Sequence, residues 1–129
     1  NLINLESIIN TTKRKMDAGA SFFLTQPVFS KEESDRLRKI KEETGACIFA
    51  GIMPLISRRN ALFMKNEIAG INVTDEIVNR YPENGSKEDG EKVAVELAKE
   101  IISYIDDFAD GYYFSFPFNR VYLLNRILG

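Results

Sequence analysis

Apolar positions at the start of the chain recur with the period of a helix. Leu5, Ile8 (or Ile9), Thr12 and Met16 fall three and four apart, and Gly19 follows as a stop, so a helix is expected over residues 2–16. The period then breaks. Phe22 to Thr25 is a short apolar run bounded by Gly19 and Pro27, which suits a buried strand. Ser30-Lys31-Glu32-Glu33 places an N-cap serine three residues ahead of a glutamate. A helix is expected from there to about Thr44, with Leu37, Ile40 and Lys41 inward and Gly45 as its stop.

The alternation repeats. Cys47 to Ile52 reads as a second buried strand closed by Met53-Pro54. Ser57 caps a helix to about Glu67 that carries Ala61, Leu62 and Met64, and Thr74 opens a short helix through Tyr81. Ser86 and Asp89 open a long helix to about Asp107, whose apolar stripe is Val93, Leu97 (or Ala98), Ile101, Ile105 and Phe108. Tyr112 to Phe116 is a third strand, followed by Pro117 and a last helix from Asn119. Strands alternating with helices predict an α/β fold with a parallel sheet. A closed eight-stranded barrel takes about 250 residues. Three strands in 129 residues therefore make either a small α/β unit or a portion of a barrel. Pro82-Glu83-Asn84-Gly85 reads as a turn between helices, so a single domain is expected.

Composition narrows the function. With 44% hydrophobic and 28% charged residues the chain can build an ordinary core. A net charge of -2 points to no polyanionic partner. Cys47 is the single cysteine, which excludes an internal disulfide and points to a reducing compartment, the cytoplasm. Histidine is absent, so the commonest general base and metal ligand are missing. No apolar run approaches the roughly 20 residues of a membrane span. The first residues are polar and lack a secretory pattern. The chain opens at Asn1 without Met, as expected of a piece of a longer protein.

Chemistry-bearing residues lie mainly after strands. In a parallel barrel the site sits at the C-terminal strand ends. Gln26 ends the first strand and offers a donor and an acceptor to a heterocycle edge; the alternative is a polar terminus bonding its own loop. Phe29 beside it offers a ring for stacking or for the core. Asn60, with Arg58, follows the second strand and faces the same mouth, or else satisfies backbone groups at a helix start. Arg120 follows the third strand and suits an anionic substrate group, or pairs with a surface acid, while Asn119 beside it is a candidate N-cap. Thr11, Arg14 and Lys15 share one face of the first helix and together fit a phosphate or ribose; the alternative is a solvated basic patch. No carboxylate stands at a strand end and no Gly-rich phosphate loop is present, so no general acid or base is identified.

Three motifs in register carry a family resemblance. Lys13-Arg14-Lys15-Met16-Asp17-Ala18-Gly19-Ala20 followed by Phe22-Phe23-Leu24-Thr25-Gln26-Pro27 resembles the KRKxDAGA…TQ segment of methylenetetrahydrofolate reductases. Gly51-Ile52-Met53-Pro54 resembles their GIxP strand end, and Phe118-Asn119-Arg120 their terminal LNR. The wording from Met53 to Ala61 is similar to the bacterial branch, often fused behind a homocysteine S-methyltransferase domain.

The resemblance implies a flavin-dependent (β/α)₈ barrel that uses NAD(P)H and FAD to reduce methylenetetrahydrofolate to methyltetrahydrofolate. Residues 1–129 would be its C-terminal portion, a single partial-barrel domain of about three parallel strands with flanking helices. By position Thr11, Arg14 and Lys15 match FAD contacts; Gln26, Asn60 and Arg120 match contacts to folate or nicotinamide, with Gln26 on the pterin edge. The pattern departs at Ile8, where relatives carry an acidic FAD contact, at Met64, near an aromatic of some relatives, and at Phe116, a tyrosine elsewhere. The family's catalytic glutamate and flavin-ring contacts belong to the preceding half of the barrel. The piece alone is therefore expected to be inactive, to bind FAD weakly or not at all, and to self-associate as a homo-oligomer through its open edges. The competing expectation is a binding or scaffold module whose strand-end polar groups are structural.

Overall fold

The computed structural model describes residues 2–129, with side-chain surroundings from Asn4 onward. Helix α1 spans Leu2–Asp17 and strand β1 Phe23–Pro27. Helix α2 covers Lys31–Thr44 and β2 Ile48–Ile52. Helices α3 (Arg58–Glu67), α4 (Asp75–Asn79) and α5 (Lys87–Ile105) then lead to β3, Gly111–Phe114, and the chain ends in α6, Leu123–Leu128.

Local chemistry sets these boundaries. The hydroxyls of Ser30, Ser57, Thr74 and Ser86 each accept a backbone N–H of the first turn that follows, filling donors the helix leaves open. At α5 the Asp89 carboxylate also accepts the Ser86 N–H and completes a capping box. Gly45 ends α2 at φ 67°, in the left-handed region where a glycine costs least.

All three strands are parallel, in the order β1-β2-β3. Ile48, Ala50 and Ile52 turn one face of the middle strand into the helical layer and are at most 2% exposed. The main core gathers Ala50, Ile52, Leu55, Ala61, Ile101, Ile105 and Leu123, joining the sheet to α3, α5 and α6. A smaller cluster of Ile40, Ala46 and Ile48, with Leu5, Ile9 and Phe23 against it, seats α1 and α2. Lys41, expected inward, packs its stem and carries its ammonium to Asp110 and the Ala46 carbonyl, each at 2.7 Å.

Among the described residues no helix covers the opposite face of the sheet. It presents Leu24, 61% exposed, with Phe49, Gly51 and Tyr113 in the neighbouring strands. Phe22, 55% exposed, meets Phe49 edge to face at 5.7 Å between centroids. An apolar sheet face open on one side and helix-covered on the other is consistent with part of a barrel wall, in which the open face would line the interior.

Three expectations need correction. The last helix starts at Leu123, not Asn119, and β3 stops at Phe114. Asn119 is no N-cap: residues Pro117–Asn119 form a 3₁₀ turn in which Phe118 (φ 53°) and Asn119 (φ 59°) are left-handed.

Candidate functional site at the C-terminal strand rim

Parallel pairing brings the C-terminal ends of all three strands to one rim. Gln26 stands there exposed, flanked by the buried Pro27, Val28 and Phe29. Phe29 is 3% exposed and belongs to the core, not to a stacking surface.

The backbone at Gln26 is irregular. Leu24 pairs with Phe49 and Pro27 with Gly51, so Thr25 and Gln26 together oppose the single Ala50. Such a bulge re-aims the side chain that follows it. Thr25 holds it: its Oγ1 accepts the Gly51 N–H at 3.0 Å and donates to the Gln26 carbonyl at 2.7 Å. The Tyr113 hydroxyl donates to the Thr25 carbonyl from two strands away. Beyond the strand, Val28 N–H reaches the Gly51 carbonyl at 3.0 Å. Phe29 N–H donates to the Glu33 carboxylate at 3.2 Å. Burial pushes the Glu33 carboxyl up, against the lowering effect of its bonds to Phe29 and Ser30. Gln26 thus projects from a main chain fixed on both sides.

Asn60 sits in the first turn of α3. Its Oδ1 accepts the Ile56 N–H at 3.1 Å and its own N–H donates to Ser57 Oγ at 3.0 Å. Arg58 turns away from the rim, toward the carbonyls of Val78 and Tyr81 at 3.4 Å and toward Asn79 Oδ1 at 3.3 Å.

Arg120 lies past the left-handed turn. Its Nη1 stands 3.8 Å from Oε1 of Glu91, which is 5% exposed and so a buried acid rather than a surface one. The Tyr122 hydroxyl lies 2.7 and 2.9 Å from the two Glu91 oxygens. Gly90, beside Glu91, packs directly on the Ile56 carbonyl. The start of α5 therefore links the Asn60 turn to Arg120. Two consecutive left-handed non-glycine residues ahead of Arg120 store strain of the kind found at ligand sites.

Thr11, Arg14 and Lys15 lie on α1. Arg14 Nη2 donates to Thr11 Oγ1 at 3.2 Å, and Arg14 and Lys15 are exposed. Among the described residues no hydrogen bond or ion pair joins this group to Gln26, Asn60 or Arg120. A pocket of about 410 Å³ lies along the edge of β1, lined by Ile8, Thr12, Phe23, Gln26 and Leu37 among others. Ile8 gives that pocket an apolar wall where an acid would have made a polar one.

Glu91 and Tyr113 were not singled out from the sequence. Glu91 carried a signal: it falls among Gly90, Ala94, Val95 and Ala98 on the buried stripe of α5, where a lone carboxylate needs partners. Tyr113 carried none, because its partner is set by the sheet order.

A family model, methylenetetrahydrofolate reductase, matches residues 2–113. No curated protein matches the chain. The matched span holds Thr11, Arg14, Lys15, Gln26 and Asn60 and ends ahead of Arg120.

Proposed function

The chain belongs to the methylenetetrahydrofolate reductase family, and on that premise we propose that it is the C-terminal portion of a flavin-dependent reductase that converts methylenetetrahydrofolate to methyltetrahydrofolate with NAD(P)H. Its three parallel strands with flanking helices are consistent with part of a TIM barrel. The observation that carries the reading is Gln26: exposed, at a strand end of the shared rim, inside the matched span.

Gln26 accepts and donates along one edge of the pterin, which fixes the ring's orientation. Arg120 meets an anionic group of the substrate, its guanidinium already poised against the buried Glu91 at 3.8 Å. Asn60 contributes to the rim, although its bond to Ile56 N–H favours a structural share in that role. FAD supplies the hydride chemistry when bound. The Thr11–Arg14–Lys15 group fits its diphosphate: one hydroxyl and two exposed cations adjoin on a helix face, with Thr11 and Arg14 already in contact.

No helix among the described residues is long and apolar enough to cross a membrane. The cytoplasm suits the lone, unbridged Cys47. The open edges of β1 and β3 suit a homo-oligomeric piece, and a preceding homocysteine S-methyltransferase domain suits the bacterial wording of the motifs.

Two preparations test the proposal. The full-length protein should be yellow, oxidise NADH or NADPH and reduce methylenetetrahydrofolate. The 129-residue piece alone should be colourless, inactive and at least dimeric by light scattering. A full-length protein without folate reduction would remove the function. A yellow, NADH-oxidising piece, or a clean monomer at high concentration, would remove the partial-barrel reading.

A further inference from the structure

Tyr113 and Gly51 make a device that no motif announces. Tyr113 sits opposite Gly51 in the β2–β3 register, on the open face of the sheet. Its hydroxyl does not stop there. It crosses β2 and donates to the carbonyl of Thr25 in β1. Two strand spacings are about 10 Å, near the reach of a tyrosine only if the ring lies flat on the strand between. A side chain on that strand would block it. A Cβ built at Gly51 would stand 2.7 Å from the Tyr113 hydroxyl oxygen and 2.8 Å from the ring carbon that bears it. Glycine at 51 is thus the condition for the crossing.

The crossing ends on the bulge. Thr25 and Gln26 oppose Ala50 alone, so the ordinary ladder cannot fix both residues. Three bonds replace it: Tyr113 hydroxyl to Thr25 carbonyl, Gly51 N–H to Thr25 Oγ1 at 3.0 Å, and Thr25 Oγ1 to the Gln26 carbonyl at 2.7 Å. Each acts on the peptide units on either side of the Gln26 α-carbon, or one residue from them. None touches the Gln26 amide itself.

We propose that Tyr113 is a positioning residue for the folate-facing amide: lying over Gly51, it clamps the Thr25 carbonyl, fixes the bulge and sets the direction of Gln26. This rests on the reading of Gln26 as a folate contact. The geometry adds a specificity element on the far strand, so that the rim is aligned across the whole sheet before substrate arrives.

The test uses the full-length reductase with Tyr113→Phe, Thr25→Val, Thr25→Ser and Gln26→Ala. Tyr113→Phe and Thr25→Val each remove hydrogen bonds without changing shape much. Each should raise KM for methylenetetrahydrofolate about tenfold and leave kcat nearly constant, the cost of one misaligned hydrogen bond. Thr25→Ser keeps the Oγ1 and should restore a near-native KM. Amide exchange at Gly51 should quicken about tenfold in Thr25→Val, whose carbon cannot accept its N–H. An unchanged KM in Tyr113→Phe beside a raised KM in Gln26→Ala overturns the proposal and leaves the folate reading standing. An unchanged KM in Gln26→Ala overturns both. A parallel fall of kcat in every variant assigns Tyr113 to the fold alone and also overturns it.

Discussion

Gly90→Ala should destabilise the protein by about 3 kcal/mol, the upper range for an overpacked interior site, seen as a lower midpoint in urea unfolding. The usual expectation has the opposite sign, because alanine is favoured over glycine inside a helix by about 1 kcal/mol. Sterics decide. A Cβ at position 90 would lie 2.0 Å from the Ile56 carbonyl oxygen, 3.0 Å from its carbon and 3.4 Å from the Ser57 α-carbon. All three are backbone atoms, and the backbone there cannot retreat. The Ile56 N–H is held by Asn60, and the Leu55 carbonyl accepts the Tyr81 hydroxyl at 2.6 Å. That hydroxyl is 26 residues away in sequence and buried, and burial pushes the Tyr81 phenol far up. Leu55 and Ile56 are themselves at most 5% exposed. Helix α5 would have to move off the rim, and Glu91 with it, loosening the support of Arg120. A variant as stable as the native protein would show that α5 does not rest on this loop.

Gln26→Ala in the full-length reductase should cut kcat/KM for methylenetetrahydrofolate by about 10- to 100-fold, the loss expected when a polar heterocycle edge is left without partners. Oxidation of NADH with an artificial acceptor should fall far less. The separation is possible because the side chain is exposed while its main chain is held by Thr25, Tyr113 and the Val28 N–H. Removing an exposed side chain of that kind changes stability by about 0.5 kcal/mol or less, so a fall in activity cannot be charged to unfolding. Equal loss of both half-reactions would make Gln26 a structural residue.

Much of the fold was readable because it depends on local chemistry. Ser30, Ser57, Thr74 and Ser86 cap the helices they were expected to open, and Gly45 closes α2 in the left-handed conformation. Alternation of strand and helix was enough to order a parallel sheet and to bring three strand ends to one rim. The misses depend on what lies elsewhere in space. Asn119 has the composition of an N-cap, yet Phe118 and Asn119 adopt left-handed backbone and delay the last helix to Leu123. Asparagine is enriched in that conformation but phenylalanine is not, so the sequence signals only half of the turn. The bulge at Thr25–Gln26 is hidden for a similar reason: a two-residue step against one partner is a property of the pair of strands. The site divides the same way. Gln26 was visible as an amide at a strand end, whereas Tyr113 matters only through Gly51 and Thr25, and Glu91 only through Arg120 and Tyr122.

The central claim is that the folate meets this chain at the C-terminal strand rim. Amide exchange of the full-length reductase, with and without methyltetrahydrofolate, tests it most directly. Bound ligand should slow exchange after each strand, at residues 26–30, 53–60 and 115–120, while the opposite ends at residues 19–23, 45–48 and 108–111 stay unchanged. Slowing confined to those opposite ends, or none anywhere in residues 2–129, would contradict it.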